Sequence, residues 1–250
     1  MKEKSRNIKI KDAELVRLNK FIADSGLCSR RKADELISSG AVKVNGKTIE
    51  NLSTRVGPTD FITVNGDPIK SFKHFTYVLL NKPKDTISTT SDEKNRKTVM
   101  DIVHSNHRIY PIGRLDRNTT GVLLLTNDGE LANKLTHPKY QIERVYIAGL
   151  NRQINEKDAL AISKGVETED FSSSPCELYI DPKDNSKVTI ILKEGKHHEV
   201  KRIFEAYDYE VTKLDRKSFA GLTTRGLNRG EYRHLTKTEI DKLKKLLKIH

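Results

Sequence analysis

Two Asn-Gly dipeptides, at residues 45–46 and 65–66, constrain the fold of this chain more than any other local feature. Each follows a short stretch in which apolar and polar residues alternate, residues 42–44 in the first case and 62–64 in the second. An Asn-Gly pair after an alternating stretch is the strongest short-range signal for a β-hairpin closed by a type I′ turn. The sequence therefore predicts two small hairpins close together.

Two short helices are predicted ahead of these hairpins. Leu15, Leu18 and Ile22 recur at helical spacing, and the Ser-Gly pair at 25–26 ends this pattern. A second helix begins after Ser29, a residue type that caps helix amino termini by accepting backbone hydrogen bonds. Two helices followed by two hairpins predict one small compact domain.

The chain is predicted to contain two domains joined by a polar linker. Residues 1–14 are polar and highly charged without helical periodicity, which is typical of a disordered basic tail. The first domain covers residues 15–70 and the second covers residues 71–250. The polar stretch 70–74 is the predicted linker.

The second domain combines strands and helices without regular alternation. Apolar runs predict four strands, at residues 77–80, 122–126, 145–150 and 188–192. Helical spacing and capping residues predict four helices. The first covers residues 128–135, and the second covers 156–164 and follows Asn155 as its cap. The third carries Val200, Ile203, Phe204 and Tyr207 on its buried face, and the fourth follows the Thr236 and Glu239 capping pair and carries Ile240, Leu243 and Leu246 on its apolar face. This irregular order does not fit a doubly wound parallel sheet, so we predict the α+β class.

The charge balance favours an anionic partner. The chain carries 46 Lys and Arg against 34 Asp and Glu, a formal net charge of +12, which attracts phosphate backbones or anionic lipid. The sequence contains no run of 18 apolar residues and no signal segment, so RNA is the better expectation. We expect a cytoplasmic protein with no membrane partner.

The sequence predicts neither a cofactor nor a metal site. It contains neither of the common Gly-rich phosphate-binding motifs. Cys28 and Cys176 are too few for a disulfide framework or a zinc site, and the eight His form no ligand cluster with Cys or acidic residues.

Five cations of the first domain are candidate RNA-binding residues. Arg30, Arg31 and Lys32 lie in the first turn of a predicted helix, where positive charge opposes the helix dipole and does not favour the helix. Lys43 and Lys47 flank an Asn-Gly turn and extend this positive surface toward a phosphate track. On charge alone, an ordinary solvated face explains the pattern equally well.

This segment resembles a known RNA-binding domain. The strings RLNKFI at 17–22, CSRRKA at 28–33 and VNGK at 44–47 match, in order, the small domain first named for ribosomal protein S-four. The resemblance covers about residues 15–70 and implies recognition of RNA shape through the five cations.

The most informative string of the second domain is YPIGRLDRNTTG, at residues 110–121. Pro and Gly bound a turn that carries Asp116 between Arg114 and Arg117, and an apolar strand follows. We expect the flanking arginines to keep this carboxylate ionised. From these residues alone, a structural Asp in a salt-bridged turn is the more frequent explanation.

The same string resembles the catalytic loop of the bacterial ribosomal RNA pseudouridine synthases related to RsuA and RluB. Further motifs follow the family's order over residues 15 to about 243: LNKPK at 80–84, NDGELA at 127–132, ERVY at 143–146, KEGKHHEVKRIF at 193–204 and GEYRHLT at 230–236. The resemblance implies a mixed, largely antiparallel sheet with flanking helices and conversion of one ribosomal RNA uridine to pseudouridine. Residues 222–227 and 230–233 resemble the RluB-like, large-subunit branch, which implies 23S rRNA.

Four site residues are carried over from this resemblance. It implies that Asp116 is the essential aspartate, that Tyr146 is the active-site tyrosine, that Lys201 is the cation facing the aspartate, and that Arg114 lies beside the flipped nucleotide. Asp116 then either attacks the sugar C1′ or assists loss of the C2′ proton through a glycal, and the family's chemistry favours the second route. Without the resemblance, Tyr146 is most simply a core aromatic and Lys201 a solvated cation.

Two positions depart from the family pattern. Asp85 stands where the loop after the LNKP string usually has Gly, and we expect it to alter the turn, although Asp tolerates positive φ better than most residues. Glu199 stands where Gln is common, and we expect it to add a negative charge near Lys201.

Two other functions compete with the synthase. A non-catalytic RNA-binding ribosome-assembly factor would use the same basic surface but would not need Asp116, Tyr146 and Lys201 together. A nucleoside or glycoside hydrolase needs paired carboxylates, and only one is framed by a recognisable loop. We expect a monomer whose partner is ribosomal RNA or a ribosomal-subunit precursor.

Overall fold

The computed structural model describes residues 15–70 and 74–249. The chain divides between Phe75 and Thr76 into two compact units. The predicted tail, residues 1–14, and most of the predicted linker, residues 71–73, lie outside the described residues.

The first unit contains two helices and two small sheets. Its elements are β1 (Val16–Arg17), α1 (Leu18–Asp24), α2 (Arg30–Ser38), β2 (Val42–Val44), β3 (Lys47–Thr48), β4 (Arg55–Val56), β5 (Ile62–Val64) and β6 (Asp67–Ile69). One antiparallel sheet has the order β3-β2-β5-β6, and β1 pairs with β4 in the other. Apolar residues of both helices and of β2, β4 and β5 form its core.

Local turn and cap chemistry explains these elements. Asn45 and Gly46 have φ of 49° and 81°, and the next Asn-Gly pair has φ of 53° and 93°, so both predicted type I′ turns are confirmed. The side chain of Ser29 accepts a hydrogen bond from the Lys32 amide and caps α2, as predicted. The prediction that Leu15 begins the first helix is wrong, because the chain enters α1 through strand β1, which pairs with β4.

The second unit is built on one large sheet. Its elements are β7 (Tyr77–Lys82), β8 (Tyr110–Pro111), β9 (Thr120–Thr126), α3 (Gly129–Thr136), β10 (Arg144–Leu150), α4 (Glu156–Ser163), β11 (Glu167–Thr168), β12 (Phe171–Ser172), β13 (Glu177–Asp181), β14 (Asp184–Leu192), α5 (Glu199–Glu205), β15 (Val211–Phe219), β16 (Leu222–Thr223), β17 (Tyr232–His234) and α6 (Lys237–Leu247). The main strand order is β13-β14-β10-β15-β9-β7-β17, with β16 on β15 and β8 on β9. Only β9 and β15 pair in parallel among the described strands of this sheet. The predicted α+β class and largely antiparallel sheet are confirmed.

Two apolar cores cover the two faces of this sheet. Along β7, Val78 and Leu80 belong to one core, whereas Tyr77 and Leu79 belong to the other. Helices α4 and α5 pack in the first core, and α3 and α6 pack in the second. A strand covered on both faces reads as a continuous apolar run, which explains why β7 and β9 were predictable.

The parallel pairing of β9 with β15 depends on Gly121. This residue has φ of 105°, and a Cβ built on it would lie 2.2 Å from the Arg216 carbonyl oxygen. Only glycine permits this approach without a backbone shift. Since β9 follows directly from the loop containing Asp116, the close contact also fixes where that loop ends.

Helix predictions in this unit were correct apart from two positions. Asn155 and Thr236 cap α4 and α6 as expected, and Asp128, predicted as the first residue of a helix, caps α3. Tyr207, however, lies beyond the end of α5. On α6, Leu246 is 54% exposed and Leu247 is 1% exposed, so the apolar face is rotated from the predicted one.

Candidate active site

Asp116 lies in the loop that joins β8 to β9. Next to it, Leu115 is buried, and its amide and carbonyl both bind the Ser88 hydroxyl, at 3.1 and 2.9 Å. The Thr119 amide donates to the Asp116 carbonyl at 3.1 Å and closes a turn. The loop is therefore held by hydrogen bonds on both sides of the carboxylate.

Lys82, at the end of β7, fixes the main chain of this loop through hydrogen bonds to its carbonyl oxygens. Its side chain is fully buried, and its Nζ donates to the carbonyl oxygens of Asp116, Arg117 and Thr119 at 3.0, 3.2 and 2.9 Å, and to that of Pro83 at 3.1 Å. Burial lowers the pKa of Lys82 to about 8, although Asp116 opposes the shift. The sequence analysis gave this lysine no role, although a lysine that ends an apolar run just before Pro is a visible signal.

The Asp116 carboxylate has a separate partner on each oxygen. Lys201 Nζ lies 3.2 Å from Oδ2, and His198 Nε2 lies 3.4 Å from Oδ1. The expected pairing with flanking arginines is wrong: within residues 15–70 and 74–249 the ion pairs of Asp116 are these two, and Arg117 pairs instead with Asp85 at 3.0 Å. Sequence reasoning identified Lys201 but missed His198.

Asp85 takes the conformation that a Gly would take at this position. Its φ is 55°, in the left-handed region that Asp tolerates better than most residues. Its carboxylate then reaches Arg117, so the departure from the family pattern keeps the turn and adds an ion pair between neighbouring loops.

A cavity of about 150 Å³ opens beside Asp116. Arg114, Asp116, Tyr146 and His198 all line it, so three of the four predicted catalytic residues meet there, and the fourth, Lys201, contacts Asp116 directly. Tyr146 lies on β10 and is 9% exposed, while Arg114 is exposed. The arrangement offers an aromatic surface, a carboxylate and cations around one small space.

Two buried arginines line the same cavity. Arg144 donates to the carbonyl of Ile142 at 2.7 Å, and Arg216 donates through Nε to the carbonyl of Val122 at 2.8 Å. Both guanidinium groups lie over the Phe219 ring, at 5.3 and 4.7 Å from its centroid. Burial lowers the pKa of Arg144. Their strand positions gave no sequence signal, because burial of a charged side chain depends on distant partners.

Glu199 is also buried against the cavity. It is 4% exposed, and one carboxylate oxygen accepts from the Lys196 amide at 2.9 Å, whereas the other has no hydrogen-bond partner among the described residues. Burial raises the pKa of Glu199 to about 7, although the hydrogen bond from the Lys196 amide opposes this shift. The substitution of Glu for Gln therefore introduces a carboxyl group that is partly protonated at neutral pH.

The five predicted RNA-binding cations are all exposed in the first unit. Lys32 forms an ion pair with Glu35 at 2.7 Å, and Arg30 donates to Asn19 at 3.3 Å. In the β2–β3 hairpin, Lys43 lies opposite Thr48 and Lys47 lies opposite Val44. Because neighbouring strand residues point to opposite faces, Lys43 and Lys47 leave the sheet on different sides rather than extending one surface.

The described residues were also compared with the requirements of a metal site and of a membrane-spanning helix. Across residues 15–70 and 74–249, no group of three or more His, Cys, Asp or Glu is arranged to hold a metal ion. Among the same residues, no helix is both long and apolar enough to cross a membrane.

Comparison with known families and proteins gives consistent matches. A family model described as RNA pseudouridylate synthase matches residues 76–206, and an S4 domain model matches residues 16–62. A solved structure described as a crystal structure of pseudouridylate synthase aligns with a TM-score of 0.66 and 31% identity, covering 91% of this chain and 99% of the other.

Similar relatives span nearly the whole chain. Ribosomal large subunit pseudouridine synthase B of Bacillus subtilis (strain 168) is 44% identical over 236 residues, which cover 92% of this chain and 96% of the relative. Dual-specificity RNA pseudouridine synthase RluF of Escherichia coli (strain K12) is 35% identical over 234 residues, with coverage of 93% and 79%. These matches, together with the cavity around Asp116 and Tyr146, show that the chain belongs to the RNA pseudouridine synthase family.

Proposed function

We propose that this pseudouridine synthase isomerises one uridine of 23S rRNA and uses Asp116 as its catalytic carboxylate. The observation that carries the proposal is the placement of Asp116 at a cavity lined by Tyr146, with Lys201 and His198 each contacting one carboxylate oxygen. The Lys201 ammonium, 3.2 Å from Oδ2, attracts the carboxylate and holds it at the cavity.

The reaction moves one bond and requires no redox partner. The bond from uracil N1 to ribose C1′ breaks, the base turns, and C5 forms a new bond to C1′ while its proton is released. Asp116 acts either by attack at C1′ or by assisting loss of the C2′ proton through a glycal. Either role requires an oriented carboxylate within reach of the sugar, and the hydrogen-bonded loop from Leu115 to Thr119 provides that rigidity.

The other lining residues have complementary roles in this proposal. The Tyr146 ring stacks on the extruded base, and its hydroxyl assists proton movement. Lys201 holds the Asp116 carboxylate charged and oriented. Arg114, which is exposed at the rim, occupies the space that the flipped nucleotide leaves in the RNA.

The first domain, residues 15–70, binds RNA shape and phosphate in this proposal, and residues 71–250 form the catalytic domain. Arg30, Arg31 and Lys32 are exposed in the first turn of α2 and supply the main phosphate contacts. Lys43 and Lys47 contribute from separate faces of the hairpin, so they contact different parts of the RNA.

The large-subunit substrate rests on the relatives. The Bacillus subtilis protein that is 44% identical carries the name of a large-subunit synthase. We infer that the protein acts in the cytoplasm, where bacterial ribosomal RNA is made. We propose that it acts as a monomer.

The alternative of a non-catalytic assembly factor makes a different demand on Asp116. Such a factor would need the basic surface but no oriented carboxylate at a cavity. An Asp in an ordinary partly solvated salt bridge contributes about 0 to 1 kcal/mol, so its loss would change little. Removing the charge while keeping the shape therefore separates the two functions.

The test is Asp116→Asn, with Asp85→Asn as the matched control. Both substitutions remove a carboxylate that pairs with a cation, but Asp85 pairs with Arg117 and does not line the cavity. We expect Asp116→Asn to reduce single-turnover release of tritium from C5 of uridine-labelled 23S fragments by at least about 1,000-fold, or about 4 kcal/mol. Asp85→Asn should stay within about threefold of the parent.

RNA affinity provides the second readout. Asp116→Asn should bind the fragment within about twofold of the parent, because phosphate and shape contacts remain. A folded Asp116→Asn protein that releases tritium within tenfold of the parent would overturn the mechanism. Mapping pseudouridines in rRNA from a deletion strain, complemented with the parent or with Asp116→Asn, tests which ribosomal subunit contains the substrate. A pseudouridine missing from 16S rRNA and not from 23S rRNA would overturn the large-subunit assignment.

A further inference from the structure

The contact between His198 and Asp116 is not explained by any role assigned so far. His198 Nε2 lies 3.4 Å from Asp116 Oδ1, whereas Lys201 Nζ lies 3.2 Å from Oδ2. The side chains of His198, Lys201 and Asp116 are 44%, 30% and 31% exposed, so all three remain partly accessible at the cavity. The two nitrogen atoms therefore hold the carboxylate from different sides.

Both partners come from the start of the same helix. His198 is the residue preceding the first turn of α5, and Lys201 lies three positions later. The contacts of His198 Nε2 and Lys201 Nζ both reach Asp116 from this end of the helix. The first turn of α5 thus presents two nitrogen groups toward a single carboxylate on another loop.

The backbone at His198 is unusual for its residue type. Its φ is 52°, in the left-handed region that residues other than Gly adopt infrequently. The side chain makes no capping hydrogen bond to α5, so capping does not explain this conformation. The ring stacks on His197, with 3.9 Å between ring centroids and an angle of 20° between planes. Backbone and stacking together direct Nε2 toward Asp116, and strained residues of this kind cluster at functional sites.

A single lysine does not fix a carboxylate plane. The lysine ammonium is a compact charge on a flexible stem, so it attracts one oxygen without setting the rotation of the group. A second partner on the other oxygen restricts that rotation. Misplacement of a reacting group by about 1 Å lowers rates about 100-fold, so the restriction has a kinetic consequence.

We propose that His198 is a positioning residue that fixes the plane of the Asp116 carboxylate by binding Oδ1 while Lys201 binds Oδ2. The proposal rests on the proposed function, since it assigns Asp116 the carboxylate role. The 3.4 Å separation is long for a hydrogen bond, and contacts of this kind shorten when substrate excludes water from the site. His198 therefore acts through Asp116 and does not itself react with the nucleotide.

The test uses His198→Asn in the full-length protein. Asn tolerates positive φ, so the turn into α5 is retained, but its side chain is too short to reach Asp116. We expect the single-turnover rate of tritium release to fall about 10- to 100-fold while RNA affinity stays within about twofold. If the Asn variant does not fold, His198→Gly, which takes this φ without strain, gives the same measurement.

Two further variants identify the cause of the loss. His198→Arg restores a long donor and should recover the rate to within about threefold of the parent. Lys193→Asn is the matched control, because Lys193 lies in the same loop but pairs with Glu143, at 3.7 Å, away from the cavity. That variant should retain the parent rate.

Each outcome decides the proposal. A His198→Asn protein that turns over at the parent rate, or a His198→Arg protein as slow as the Asn variant, would overturn the positioning role. Failure of the proposed function is recognised separately, because an active Asp116→Asn protein removes the carboxylate role whatever the His198 variants do. If Asp116→Asn releases tritium slowly but His198→Asn releases it at the parent rate, the proposed function stands and only the positioning role of His198 is rejected.

Discussion

Replacement of Lys82 by Met should loosen the loop that carries Asp116. Met keeps the length and apolar stem of the side chain but removes the ammonium that binds four carbonyl oxygens at 2.9 to 3.2 Å. Three of these oxygens belong to the segment from Asp116 to Thr119. The substitution therefore acts on the main chain beside the carboxylate and not on the carboxylate itself.

The magnitude follows from two opposing effects. Each buried carbonyl that loses its donor costs about 1 kcal/mol, or about 4 kcal/mol for four, and more where the donor is charged. Burial lowers the pKa of Lys82 from 10.5 to about 8, so the charged ammonium itself costs about 3 kcal/mol, part of which Met recovers. We expect a net loss of about 2 to 4 kcal/mol, which lowers the Tm of a domain of this size by about 5 to 15 °C.

The activity should fall further than stability alone explains. Displacement of the loop moves Asp116 relative to the nucleotide, and we expect single-turnover tritium release to drop about 100-fold at a temperature where the variant is fully folded. Lys84→Met is the control, since Lys84 is an exposed lysine in the loop that follows Lys82. Equal unfolding midpoints and equal rates for the two variants would refute the view that Lys82 holds this loop.

Two further predictions concern buried positions near the site. The pKa of Glu199 is about 7 in the folded protein against an ordinary 4.5, so the native state retains a proton that the unfolded state has lost between these values. This proton makes stability decline as pH rises from about 4.5 through about 7, and Glu199→Gln should reduce the decline measured by urea unfolding at pH 5 and pH 8. An equal decline in the parent and the variant would contradict this. Gly121→Ala should lower the free energy of unfolding by more than about 3 kcal/mol in thermal unfolding, because its Cβ would lie 2.2 Å from the Arg216 carbonyl oxygen. The control Gly46→Ala, at a positive φ with open space around it, should cost about 1 kcal/mol. Equal costs would show that the close approach of the two strands does not require glycine.

Much of the fold was predictable because its signals are local. The Asn-Gly turns need positive φ at both residues, and the capping residues Ser29, Asp128 and Thr236 bind amides within three positions. The strands β7 and β9 are buried along their whole length, so their apolar runs are uninterrupted. Each of these signals is independent of where the rest of the chain lies.

Strand β15 was missed for the opposite reason. Its nine residues include Asp215, Arg216 and Lys217, and alternate between buried and exposed positions too irregularly to predict a strand. Asp215 is stabilised by Arg229 at 2.8 Å and by Lys217 at 2.7 Å, and Arg216 donates to Val122 on the neighbouring strand. Arg229 and Val122 are distant in sequence from the residues they contact, so the sequence of this central strand resembles that of a polar loop until its neighbours are known.

The candidate site likewise combines residues that the sequence identified with contacts that it could not predict. Resemblance to a family identified Asp116, Tyr146, Arg114 and Lys201, and the structure brings the first three together on the cavity lining while Lys201 contacts Asp116. Lys82 lies in the LNKPK motif, but its contacts with four carbonyl oxygens could not be predicted from the motif. Main-chain acceptors leave no trace in residue types, because every residue carries one.

The two sides of Asp116 are fixed by different chemistry, and this has a consequence for how the site works. Its main-chain oxygen binds Lys82 Nζ at 3.0 Å, while its carboxylate contacts Lys201 and His198. Because these nitrogen groups already contact Asp116 in the protein alone, the carboxylate is oriented without help from the RNA. Preorganised charge of this kind stabilises a transition state without reorganisation during the reaction. Variants of Lys82 or His198 should therefore reduce the rate of the chemical step and leave RNA affinity nearly unchanged. Variants of Arg30, Arg31 and Lys32 should instead weaken RNA affinity and leave the rate of the chemical step nearly unchanged.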